Sequence, residues 1–217
     1  MNIIEHSSIG ASIIKSRTET LIVGLSINNS YFKEENIKKI IQWACLNSEK
    51  IYIMIPDEPM IDTFIALGFT TSKAVKIARL KANALENKCN YIIKSLSPHI
   101  EIDIIRWKQL AENYWYMKAL EEIKIAYTSD MHLTEAIQSS TRSVLLSNGI
   151  SCPTIECLEN GVQFFLKELA FITYSDKILN RNMVGYIYHK TTEVLKNIIE
   201  GIYLFKASPL VGFITVR

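Results

Sequence analysis

Several features that announce a function class are missing from this 217-residue chain. It contains no G-x-G-x-x-G and no G-x-x-x-x-G-K, so the glycine-rich cradles that hold dinucleotides and triphosphates are absent in their usual form, and redox and kinase roles lose their main support. The four histidines, His6, His99, His132 and His189, stand far apart with no partner at i+3 or i+4. With Cys45, Cys89, Cys152 and Cys157 forming no C-x-x-C pair, no metal site is expected. Four cysteines are also too few for a disulfide framework, and they read as reduced core thiols. No stretch approaches the ~18 apolar residues that span a bilayer. The opening MNIIEHSSIG has Glu5 and no early cation ahead of an apolar run, unlike a secretory signal, so the expected location is the cytoplasm. Charge of one sign is lacking too: Lys+Arg 24 against Asp+Glu 22 leaves +2, and a nucleic-acid partner would have to show as local clustering.

What is present suits one globular domain over residues 1–217. The chain is 48% hydrophobic, with only 8 Gly and 5 Pro, which opposes disorder and fibrous repeats. The run LIVGLS (residues 21–26) is continuous and β-favouring, as strands buried on both faces of a parallel sheet are. Helical spacing follows over residues 33–45, with Glu34 and Glu35 in the first turn, then a strand over 51–55 that stops at Pro56. This β-α-β succession predicts an α/β fold with a mainly parallel sheet and helices on both faces. Further helices are predicted near 60–67, 72–93, 108–125, 131–147, 156–174 and 191–202. Strands are predicted within HIEIDIIRW, over MVGYIYH and over LVGFITV.

Three regions could carry chemistry. Ser26 closes the first strand, where open α/β sheets place ligands. The segment after it, I-N-N-S-Y-F, could equally be a turn whose Asn and Ser cap the next helix. Gly24-x-Ser26-x-Asn28 is one residue short of a G-x-S-x-G elbow, so a small serine hydrolase with His189 as base is a rival reading. On the helix over 72–93, Lys73, Lys76, Arg79, Lys81 and Lys88 fall on roughly 200° of arc, opposite Ala74, Val75, Ala78, Ala82 and Leu85. With only Glu86 for acid, that face is either solvated surface or a phosphate-backbone contact. Finally, Glu168 lies in the apolar helical stretch FFLKELAFI, either reaching the surface or buried and tuned for proton transfer or for holding an ammonium group.

Taken together, G-L-S-I-N-N-S-Y-F over residues 24–32, K-I-A-R-L-K-A-N-A-L-E-N-K over 76–88, F-F-L-K-E-L-A-F over 164–171 and Tyr188-His189 resemble the cyclodipeptide synthases, in the right order across roughly residues 20–190. The resemblance implies a single Rossmann-like domain similar to the catalytic domain of tyrosyl- and tryptophanyl-tRNA synthetases, without amino-acid activation; the chain indeed has neither H-x-G-H nor K-M-S-K-S. It implies that Ser26 accepts an aminoacyl group from one aminoacyl-tRNA, that a second extends it to a dipeptidyl-enzyme, and that cyclisation releases a diketopiperazine, with no ATP, metal or other cofactor. Glu168 would bind the aminoacyl ammonium and assist proton transfer. Asn29 and Tyr188 would position the substrate near the serine, and with His189, also counted in the catalytic set, they match the subfamily that has asparagine at the first of these positions. Ile22, Gly24 and Phe171 would wall the first side-chain pocket. Lys73, Lys76, Arg79, Lys81 and Lys88 would contact tRNA, and the protein would be a monomer. One departure stands out: Phe164 occupies the place of a tyrosine whose hydroxyl helps hold the amino group, which leaves open a non-catalytic tRNA-binding relative.

Overall fold

The computed structural model describes residues 1–17 and 19–217. At its centre is a six-stranded sheet in the order β1 (Ile3–His6), β6 (Val211–Val216), β5 (Val184–Tyr188), β2 (Thr20–Gly24), β3 (Lys50–Ile55), β4 (Glu101–Arg106). β1 is antiparallel to β6 and every other pairing is parallel, as the apolar strands predicted. Every residue of β2 and β3 is buried, which is why neither strand shows polar alternation. Alternation of side chains still divides them between two cores: Leu21, Val23, Ile51 and Ile53 point to one face, Ile22, Tyr52 and Met54 to the other.

The first face is covered by α1 (Ser8–Ser16), α2 (Glu34–Leu46) and α4 (Thr71–Leu96). The second is covered by α5 (Tyr114–Ser129), α6 (Met131–Ser147), α7 (Ile155–Thr173) and α9 (Glu193–Ile199). α3 (Pro59–Ala66) packs against both α4 and α7, and the short α8 (Ser175–Ile178) follows α7. β1 and α1 have no counterpart in the sequence reading. β1 is exposed at all four residues, so no buried pattern marks it. α1 is held by Ser7, whose Oγ accepts the N–H groups of Gly10 and, from β6, Phe213. α9 is shorter than predicted, running from its Thr192 cap to a turn at Gly201, where φ is +74°.

Two further expectations change. Of the cysteines only Cys89 is buried; Cys45 and Cys157 are half-buried and Cys152 is exposed, all four as free thiols. On α4, Val75 is 44% exposed rather than part of the inner stripe, which consists of Ala74, Ala78, Ala82, Leu85, Cys89 and Ile92. The acid of that helix, Glu86, is neutralised from β4: Arg106 Nη1 lies 2.6 Å from its carboxylate, while Arg106 Nε reaches Asp57 at 2.9 Å. Asp57 also accepts the Trp107 N–H at 2.9 Å, so this node ties β3, β4 and α4 together. Replacing Arg106 leaves two half-buried carboxylates without their cation. Arg106→Ala is therefore expected to lower stability by roughly 1–3 kcal/mol, read as an earlier urea midpoint with an unchanged slope.

Candidate active site

From β2 the chain steps outward to β3 and β4, then returns to lay β5 and β6 on the opposite side of β2. Strand order reverses between β2 and β5, and open α/β sheets bind ligands at the carboxyl ends of strands at such a point. Ser26 lies two residues past β2, and Tyr188 ends β5 with His189 immediately after. A cavity of about 780 Å³ opens there, lined by Ser26, Asn29, Glu168, Tyr188 and His189.

The loop carrying Ser26 is fixed by its own sequence. The buried side chains of Leu25, Ile27 and Phe32 anchor it in the core. Asn28 takes the left-handed conformation (φ +69°), which asparagine tolerates better than most residues. Asn29 Oδ1 accepts the Tyr31 N–H at 2.9 Å, and Asn36 Nδ2 donates to the Tyr31 carbonyl at 2.8 Å. α2 begins with Lys33 as its cap and no side-chain capping bond, so the Asn and Ser residues build this loop instead of capping the helix.

The titrating groups share one condition, removal from water. Glu168 is half-buried with its open side on the cavity; burial raises its pKa to about 7, with no hydrogen bond or counter-charge to oppose it among the described residues. Burial, with the charge of Glu168 adding to it, raises the Tyr188 phenol to about 12, although the Ser26 and Asn29 side chains pull the other way. His189 is lowered to about 4 by burial and by the nearby cations Arg217 and Lys190. Its ring stacks on Tyr31, with centroids 4.2 Å apart and planes 14° from parallel, and its Nδ1 is buried without a hydrogen-bond partner. No Ser26–His189 hydrogen bond forms among the described residues, and an imidazole of such low basicity is a poor general base. The serine-hydrolase pair is not assembled.

The other candidate residues divide between the cavity and places away from it. Phe164 lines the cavity one helical turn before Glu168. Ile22 and Phe171 are fully buried and off the cavity wall. Gly24 is off it too: a Cβ there would overlap the ring and hydroxyl of Tyr186, which does line the cavity. Sequence reasoning missed Tyr186, whose only signal is its place two residues before Tyr188 on the same strand face. It also missed the hydroxyl-bearing wall of α6, Ser140, Ser143 and Ser147. Lys73, Lys76, Arg79 and Lys81 are exposed and Lys88 half-buried along α4, away from the cavity lining. Among the described residues no three His, Cys, Asp or Glu side chains converge to hold a metal.

Glu168 and His189 act on stability with opposite sign. A carboxyl raised from 4.5 to about 7 stabilises the fold below pH 4.5, and that contribution is lost as pH rises towards 7. A histidine lowered from 6.5 to about 4 contributes above pH 6.5 and loses that contribution as pH falls towards 4. Glu168→Gln removes the buried charge, so it is expected to raise the melting temperature at pH 8 and change it little at pH 4.5, as melts across this range would register.

Comparisons with known proteins agree with this geometry. The cyclodipeptide synthase family model matches residues 6–217. A cyclo(L-leucyl-L-leucyl) synthase of Staphylococcus haemolyticus is 27% identical over 206 residues, covering 93% of this chain and 88% of the relative. The solved cyclodipeptide synthase structure from Staphylococcus haemolyticus superposes with a TM-score of 0.88 at 24% identity, over 100% of this chain and 99% of that one. A tyrosyl-tRNA synthetase of Archaeoglobus fulgidus shares the fold more distantly, at TM-score 0.53 and 12% identity over 99% of this chain and 61% of its own. With the family model spanning nearly the whole chain, this protein belongs to the cyclodipeptide synthase family.

Proposed function

We propose that this protein makes a cyclic dipeptide from two aminoacyl-tRNAs by successive acyl transfers on Ser26. The observation that carries this reading is a serine hydroxyl at the strand-order reversal, in a cavity it shares with an unpaired carboxylate and without a hydrolase base. The ester linking an amino acid to tRNA is already activated, so the protein needs only to align, transfer and exclude water.

In the first step Ser26 Oγ attacks the ester carbonyl, its proton passes to the departing ribose oxygen, and an aminoacyl-Ser26 ester forms. For the dipeptide to remain on the enzyme, the amine of the Ser26-bound residue is the next nucleophile. It loses a proton, attacks the second aminoacyl ester and frees the second tRNA. The new terminal amine then attacks the Ser26 ester, closing a six-membered ring and restoring the hydroxyl. Each attacking amine begins as an ammonium. Glu168, with a pKa of about 7, can both pair with that cation and take its proton near neutrality. Tyr188 stays a neutral phenol, held against Ser26 and Asn29, and can donate to the oxygen on which charge develops. His189, neutral and stacked on Tyr31, supports the loop rather than acting as a base.

The exposed cations of α4 fit a tRNA backbone contact, since their one acidic neighbour is already paired with Arg106. Ser26→Ala is expected to abolish the cyclic dipeptide that a bacterial host expressing the protein releases into its medium, as judged by mass spectrometry, with the melting temperature unchanged. Product at the native level from the alanine variant refutes the acyl-enzyme. Replacing Lys76, Arg79 and Lys81 together by alanine is expected to weaken tRNA binding and to flatten the slope of log affinity against log salt by roughly 2. An unchanged slope removes α4 from the interface.

A further inference from the structure

Tyr186 lines the cavity with Ser26 and Glu168, and the acyl-transfer scheme gives its hydroxyl no task. It sits on β5 two residues before Tyr188, on the same face of the sheet, with the two rings 6.1 Å apart and 19° from parallel. The side chain is 4% exposed, yet it lines the cavity. Its hydroxyl lies over Gly24, in space that any Cβ would occupy, so the bare glycine is what admits it. Gly24 is two residues before Ser26, roughly 7 Å along an extended chain, a gap that an acyl group on Ser26 can bridge.

The hydroxyl is also uncommitted. No described residue hydrogen-bonds to it, whereas the Tyr188 phenol is engaged by Ser26 and Asn29. The ring is buried, but the oxygen is not one of the enclosed polar atoms that lack a partner, so it opens on the cavity it lines and is free to meet an incoming group. Glu168 is close enough for its charge to act on Tyr186. Phe164, one turn before Glu168 on the same helix face, brings no polar atom to the cavity. An α-ammonium presents three N–H donors in a tetrahedral array. A single carboxylate leaves at least one of them to a neutral acceptor.

We propose that the Tyr186 hydroxyl oxygen is that neutral acceptor, binding the α-ammonium of the first aminoacyl group together with Glu168 and so setting the acyl carbonyl against Ser26. This rests on the acyl-transfer reading above. It makes Tyr186 a substrate-binding residue whose contact depends on the amino group and not on tRNA. The pair Gly24 and Tyr186 then works as one unit, the glycine providing the space that the phenol needs.

The test compares the native full-length chain with Tyr186→Phe, using two donors of the same side chain: an aminoacyl-tRNA, and an α-hydroxyacyl-tRNA that carries a hydroxyl in place of the ammonium. Acylation of Ser26 is followed by intact-protein mass. With the aminoacyl donor the variant is expected to be slower by about 10- to 100-fold in acylation per unit donor concentration, the size of losing a hydrogen bond to a charged group. With the α-hydroxyacyl donor the two proteins are expected to agree within about threefold, and both are expected to bind deacylated tRNA equally. Equal slowing with both donors, no slowing with the aminoacyl donor, or a matching loss of affinity for deacylated tRNA overturns the assignment. If the native chain is never acylated by aminoacyl-tRNA, the acyl-transfer reading itself fails and takes this proposal with it. That outcome is read from the native protein alone, so the two failures are distinct.

Discussion

The reversal of strand order between β2 and β5 is the constraint from which the rest of the site follows. Two adjacent parallel strands whose crossovers leave in opposite directions have carboxyl ends that no connecting helix covers, so a crevice forms there whatever residues occupy it. In this chain β2 delivers Ser26 to one lip and β5 delivers Tyr188 and His189 to the other. α7 crosses the second face of the sheet and lowers Glu168 into the gap from above, its apolar neighbours sealing the carboxylate from bulk water. Serine hydroxyl, phenols and carboxylate thus come from three elements far apart in sequence, two strands and the helix packed over them.

That arrangement holds charge away from water on purpose-built terms. Glu168 has no partner to offset its burial, and His189 is kept neutral beside Lys190 and Arg217. A carboxyl tuned to the neutral range is useful only if nothing in the resting protein satisfies it, since a fixed counter-cation would pull its pKa back down and compete with an arriving ammonium. The unanswered burial of Glu168 is therefore what keeps its pKa near the neutral range. On the opposite face the logic is reversed: Arg106 pairs with Glu86 and Asp57, which removes acid from α4 and leaves Lys73, Lys76, Arg79 and Lys81 exposed. One region leaves a carboxylate unanswered beside a cavity, and the other pairs its one acid so that its exposed surface carries only positive charge.

How much of this could be read beforehand depended on whether a feature is local. The fully buried strands β2 and β3 announced themselves because both faces of each need apolar residues, and α4 and α7 because each keeps a long helical stripe. β1 and α1 left no such trace: an exposed edge strand needs no apolar pattern, and the helix depends on a serine cap shared with β6 some two hundred residues away. The site divided in the same way. Ser26, Asn29, Glu168 and Tyr188 belong to short motifs whose spacing survives in the chain, and they share the cavity. Ile22, Gly24 and Phe171 were expected on its wall, but Ile22 and Phe171 are fully buried, and the Tyr186 side chain, arriving from the neighbouring strand, fills the space over Gly24. Which side chain fills a gap between strands is decided by register, which no single segment contains.

Gly24 makes the point most sharply. Read along the chain, it is part of a glycine-x-serine motif, and the natural inference concerns the backbone freedom of a tight turn. Yet Gly24 is the last residue of β2 and is absent from the positive-φ glycines of the chain, Gly68, Gly149 and Gly201. Its requirement is steric: the Tyr186 ring and hydroxyl stand where a Cβ would be. The same residue type at the same place in a motif can therefore answer either to its own dihedral angles or to a neighbour's volume. The distinction matters for substitution, because alanine tolerated by the backbone would still displace a buried phenol that faces Glu168 across the cavity, changing the site without changing the loop that holds Ser26.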